Sequence, residues 1–188
     1  MAKSVAQKLG KGITPQQFID GMQKNQDKFL DWYNQFSWKS EEDQQFFESF
    51  RNRDDLRCLI IAAEWCGDVV RNVPVVLRAL ENSGITVEMF IMEEHLDFID
   101  EHLTMGGRAI PVVVFADSSG YILGKWGPRP AEVQAVMNEF KRQNPDREAP
   151  DYQEKIQVAR QEMMRLYGEG TGYHDVIISE LKEILTTF

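Results

Sequence analysis

Ala63-Glu64-Trp65-Cys66-Gly67-Asp68-Val69-Val70-Arg71-Asn72-Val73-Pro74 is the stretch whose reading decides the rest of the chain. Before it, Cys58-Leu59-Ile60-Ile61-Ala62-Ala63 is apolar without alternation, the pattern of a strand buried on both faces. After it, Val69, Val70, Val73, Val76, Leu77 and Leu80 recur at helical spacing. Asp68 is suited to the start of that helix, where free N–H groups and the positive dipole end lie. Cys66 therefore falls at a strand-to-helix turn. A helix N-terminus there favours the thiolate and can bring a thiol below its free pKa of about 8.5. The Asp68 carboxylate acts in the opposite direction, and the sequence does not sign the sum.

Working outward, Arg108-Ala109-Ile110-Pro111-Val112-Val113-Val114-Phe115 reads as a strand led by a proline, and Asp117-Ser118-Ser119-Gly120 as the turn after it. With Trp65-Cys66-Gly67 and Pro74, these segments resemble the thioredoxin superfamily over residues 56–142. They resemble in particular a thioredoxin-like group with a Trp-Cys-Gly-Asp active site and added helices, here with the second active-site cysteine replaced by valine. The resemblance implies an α/β thioredoxin-like fold: a four-stranded mixed sheet in β-α-β-α-β-β-α order, with one strand pair antiparallel and extra helices at both ends. It implies a cis peptide bond before Pro111, and a groove in which the Ile110 backbone pairs with an extended substrate segment. Trp65 would flank that groove beside Gly67 and Asp68.

Two positions depart from the family pattern. The second cysteine falls on Val69, so no internal thiol can expel a mixed disulfide. The buried acid six residues before the first cysteine falls on Ile60. Cys58 cannot substitute for the missing thiol. Eight residues of extended strand span roughly 26 Å, and a disulfide requires Cα atoms within about 7 Å. Cys58 reads as a core residue.

The remaining chain divides into a helical extension over residues 1–55, the core over 56–143 and a second helical extension over 144–188, all in one compact domain. Residues 1–12 read as frayed. Thr14-Pro15 opens a helix with a bend near residues 23–28, and Ser40-Glu41-Glu42-Asp43 opens another. Strands are expected over 56–63, 85–92, 111–116 and 121–126, with helices over 68–82, 95–103 and 130–142. Two further helices cover 151–167 and 173–185. The apolar stripes of the outer helices, among them Ile156, Met163, Ile177 and Leu181, read as packing onto the core, with a partner-binding face as the alternative.

Composition bounds the function classes. Hydrophobic residues make up 43% of 188, which supports a folded core. The net charge of −9 argues against nucleic acid or an anionic membrane as partner. Two cysteines and no signal-peptide pattern at the N-terminus point to the cytoplasm. No metal site is expected: His95 and His102 would lie about 10 Å apart on one helix, and the acidic run around them reads as a solvated face. Trp126 reads as packing. Arg71 and Arg108 are candidate anion holders near the groove.

Two functional readings stand side by side, and the residues do not decide whether the protein is an enzyme. In the first, Cys66 is the catalytic thiol of a monothiol thiol–disulfide oxidoreductase. It would form mixed disulfides with protein or small-molecule thiols, need no cofactor, and have glutathione as a candidate co-substrate. Trp65, Gly67, Asp68, Ile110 and Pro111 would form its groove. In the second, the chain is a redox-inactive binding module that uses the groove and the added helices. The oligomeric state is open in both.

Overall fold

The structure, a computed structural model, describes residues 4–188. Its centre is a four-stranded sheet in the order β2-β1-β3-β4. β1 (Leu56–Ala62) is buried at every position but Arg57, and β3 (Val112–Asp117) at every position but its last. Because side chains alternate between faces, both faces of these strands are covered. The uninterrupted apolar run of β1 follows from that position.

β1 runs parallel to β2 (Thr86–Ile91) and antiparallel to β3, which is itself antiparallel to β4 (Ile122–Trp126). Two strand pairs are thus antiparallel, not the one expected. The link from β2 to β3, which contains α5 (Leu96–Asp100), stays at one end of the sheet: Ile91 pairs with Ala62 and Val112 with Ile61, so β3 starts where β2 ends and must run back against it.

The other helices are α1 (Pro15–Gly21), α2 (Gln26–Gln35), α3 (Glu41–Glu48), α4 (Gly67–Leu80), α6 (Ala131–Gln143), α7 (Tyr152–Tyr167) and α8 (Gly172–Leu185). Thr14 caps α1 in a reciprocal capping box with Gln17, and the Ser40 hydroxyl accepts from the Asp43 N–H at the start of α3. The expected bend between α1 and α2 ends at Asn25, in the left-handed conformation at φ 60°. Pro74 lies inside α4 and removes the N–H that would bond the Val70 carbonyl.

Residues 4–12 are not frayed. The Val5 N–H donates to the Gly120 carbonyl at 2.7 Å, and Lys8 bonds Asp97 at 2.6 Å. The N–H groups of Gly10 and Gly12 donate to the Glu88 carboxylate, and Ile13 exchanges both backbone bonds with Met89. This segment laces the β3–β4 turn to the outer edge of β2. Its partners are distant in sequence, so its polar composition carried no sign of it. Residues 1–3 of the expected frayed segment lie outside the described residues.

The added helices meet each other as well as the core. α8 packs on α4 and β4, α2 on α4, α3 on α8, and α6 on α7. Ile177 and Leu181 of α8 are fully buried, each gaining on the order of 2 kcal/mol from leaving water. Trp32 of α2 meets Tyr173 of α8 edge-on at 5.6 Å. His102 is also buried, edge-on to Phe98, and not on a solvated face as the acidic run around it implied. No helix among the described residues is long and apolar enough to cross a membrane.

Candidate functional site around Cys66

β1 ends at Ala62 and the chain turns through Glu64 and Trp65, closed by a bond from the Cys66 N–H to the Ala63 carbonyl. Cys66 is the N-cap of α4, in extended backbone, and its carbonyl receives the Val70 N–H at 3.0 Å. Ile61 pairs with Val112, so the residues just before β3 are carried to the same end of the sheet. The Cys66 thiol donates to the Ile110 carbonyl at 3.5 Å. The Ile110–Pro111 peptide bond is cis. Trp65, Cys66, Gly67, Asp68, Ile110 and Pro111 therefore converge on one edge.

The surroundings sign the thiol shift that the sequence left open. Burial pushes the Cys66 pKa up, and the Asp68 carboxylate adds to this. The N–H groups of Val69 and Asp68 and the charge of Arg129 act in the opposite direction, but burial prevails. The helix start favours the anion, and the half-buried sulfur favours the thiol more strongly. Cys58 is wholly buried, and burial raises its pKa further. Val69 and Ile60, at the positions of the family's second thiol and buried acid, are also wholly buried.

Asp68 belongs to a polar cluster that sequence reasoning did not identify. Its carboxylate is paired with Arg129 at 2.7 Å and accepts from the Tyr167 hydroxyl at 3.2 Å. The Asn72 amide donates to the Tyr167 oxygen at 2.8 Å and to the Pro128 carbonyl at 3.2 Å. α4 is thereby tied both to α7 and to the loop after β4. Asn72, a polar residue within the apolar face of α4, was the one sequence signal of this cluster.

Trp65 is 54% exposed, and its indole N–H donates to the Glu93 carboxylate. It stands between two cavities. One, of about 210 Å³, is lined by Ile13, Phe18, Met22 and Ile91. The other, of about 600 Å³, opens along Gly67, Asp68, Arg71 and Arg129. Glu64 anchors the α1–α2 bend by accepting from the N–H groups of Gln23 and Lys24. Behind Pro111 lies Gly127 at φ 109°, where a Cβ would come within 2.3 Å of the Pro111 oxygen.

Other candidates lie apart from this constellation. Arg108 is held by Asp100 through two bonds of 2.6 and 2.8 Å. Trp126 is buried and donates to Glu180. Among the described residues, no three His, Cys, Asp or Glu come together as ligands for a metal ion.

Comparison with known proteins bears on the fold and the family. No curated protein matches the chain. A crystal structure of a Pseudomonas aeruginosa protein of unknown function is similar, with a TM-score of 0.66 and 18% identity over 99% of this chain and 98% of that one. An HIV epitope scaffold is similar to the same degree, with a TM-score of 0.66 and 19% identity over 97% of this chain and 98% of that one. At such identity the likeness is one of fold, and it is a thioredoxin-like α/β fold with extra helices. The family model described as thioredoxin matches residues 12–141, more than half of the chain and including α1 to α3. The chain belongs to the thioredoxin family.

Proposed function

We propose that the protein carries out thiol–disulfide exchange through the single thiol of Cys66, as a monothiol oxidoreductase. The observation that supports this most is the Cys66 sulfur set 3.5 Å from the Ile110 carbonyl, beside the cis Ile110–Pro111 bond and next in the chain to the exposed Trp65. A disulfide-bearing partner would lie along the Ile110 backbone as an added strand. Cys66 loses its proton to solvent, and its sulfur attacks one sulfur of the partner disulfide. A new S–S bond forms, the old one breaks, and the second partner sulfur leaves as a thiolate. Since Val69 offers no thiol, a second molecule, glutathione or a protein thiol, attacks the mixed disulfide and returns Cys66 to the reduced state. Both cysteines are free, which fits work in a reducing cytoplasm.

The elevated thiol pKa shapes the expected kinetics. Cys66 is mostly protonated at neutral pH, and its reaction rate should climb as pH rises through the thiol pKa. The test is mixed-disulfide formation with oxidised glutathione, followed by intact mass from neutral to alkaline pH. We expect one adduct per chain, reversed by reductant, faster at higher pH and absent from Cys66→Ser. Equal adduct on Cys66→Ser, or none at alkaline pH, overturns the proposal. The same elevated pKa favours a second reading, a redox-inactive module that binds a partner through the groove and the added helices. Retention of partners by Cys66→Ser under reducing conditions, with no adduct in the wild type, would select it.

A further inference from the structure

The larger cavity beside Trp65 gathers basic side chains, although the chain as a whole has 30 acidic and 21 basic residues. Three of them are not neutralised by a carboxylate. Lys28 of α2, Arg71 of α4 and Arg160 of α7 line it, and none forms an ion pair among the described residues. Asp68 is the one carboxylate in the lining, and Arg129 already binds it.

Arg71 is the most informative of the three. Its guanidinium lies 4.8 Å from the Trp32 ring centroid, 5.0 Å from Tyr167 and 5.3 Å from Tyr173. Aromatic rings take up the faces of a guanidinium and leave its in-plane N–H groups for acceptors. Here Nη1 is buried with no hydrogen-bond partner in the protein. A buried, unsatisfied donor is costly, so a small shift of the half-buried guanidinium toward an oxyanion in the cavity is favoured. Met137, Met163 and the two tryptophans Trp32 and Trp65 supply apolar wall. The volume of about 600 Å³ suits a small molecule.

We infer that this groove is a binding site for a small molecule bearing oxyanions on a partly apolar body, held by Arg71, Lys28 and Arg160. The site is built by α2, α4 and α7, on the side of Trp65 away from Ile13 and Phe18. It does not depend on thiol exchange, because Cys66 is not among its lining residues. Carboxylates and phosphates present the same chemistry to these cations, and the ligand can draw on either.

The test uses two probes that cannot exchange disulfides: S-methylglutathione for carboxylates and adenosine diphosphate for phosphates. Each is titrated into the full chain at low salt, with tryptophan fluorescence and calorimetry as readouts. We expect saturable binding of at least one probe, weakened by added salt. Arg71→Gln should weaken it by about tenfold or more. Arg71 is packed among rings, so the double variant Lys28→Gln/Arg160→Gln, changed at two exposed positions, provides the second arm and should weaken binding about as much. Binding of one probe alone identifies the oxyanion. No saturable binding of either probe at millimolar concentration overturns the inference, as does binding that the double variant leaves unchanged. Failure here leaves the glutathione-adduct test of Cys66 untouched, since neither probe reports on the thiol.

Discussion

Acidification from pH 7 to pH 5 should destabilise this protein through two histidines. His102 and His174 are 3% and 2% exposed, and neither ring nitrogen of either has a hydrogen-bond partner. His174 stacks on Phe36 and meets Trp32 and Tyr173 edge-on, with Arg71 and Lys39 nearby and Asp175 the one opposing charge. Burial holds both pKa values at about 4, below the free value of about 6.5. A depressed histidine pKa means that the unfolded chain takes up the proton first. Stability is therefore full above pH 6.5 and falls as pH drops towards 4. For one such histidine the linkage relation gives a loss of about 2 kcal/mol between pH 7 and pH 5, and about 3 kcal/mol in all by pH 4. Two histidines on separate elements without shared partners should add, to about 4 kcal/mol at pH 5. That is a large share of a domain stability of about 5 to 15 kcal/mol.

Carboxylates with lowered pKa values, such as Asp117 and Asp151, give up their contribution only as pH falls below about 4. The interval from pH 7 to 5 thus isolates the histidines. The assay is urea unfolding at both pH values for wild type, His174→Phe, His102→Phe and the double variant. The wild-type midpoint should fall markedly at pH 5, each single variant should recover about half of the loss, and the double variant should be nearly insensitive. Equal wild-type stability at the two pH values, or a double variant that remains acid-sensitive, would refute the reasoning.

Two predictions concern the site. Asp68→Asn removes a charge that raises the Cys66 pKa, so alkylation at neutral pH should speed up, while the loss of the partner of Arg129, whose side chain is 13% exposed, should cost roughly 1 to 3 kcal/mol. Slower alkylation, or unchanged stability, would contradict that account. Gly127→Ala drives a Cβ against the Pro111 oxygen at a positive φ and should cost about 2 kcal/mol or more. Gly67→Ala, with nothing within 4 Å of the new carbon, should stay within about 0.5 kcal/mol. Urea midpoints that do not separate these two glycines would show that the Pro111 loop yields freely.

Much of the fold was legible because its signals are local. The apolar run of β1, the helical spacing of Val69, Val73 and Leu77, the caps at Thr14 and Ser40 and the turn at Gly120 each depend on residues a few positions apart. The same holds for the placement of Cys66 at a helix start and of Pro111 at the head of a strand. Where distant segments had to meet, the sequence carried little. Residues 4–12 look like a polar tail until Glu88 and Gly120 supply their partners. The direction of β3 depended on the link after β2 staying at one end of the sheet, and α5 proved shorter than the 95–103 expected.

By itself, then, the sequence determined the succession of strands and helices and the placement of Cys66 at a helix start and Pro111 at the head of a strand, because strand burial, helix period and turn chemistry are written in neighbouring residues, and the resemblance carried by those motifs implied the thioredoxin-like architecture. Only the tertiary structure decided how that edge behaves. Whether Cys66 rests as thiol or thiolate depends first on how deeply the fold buries its sulfur. The free cations of the groove come from α2, α4 and α7. A pKa or a binding site is a sum over everything packed within a few ångströms, and only folding brings those terms together.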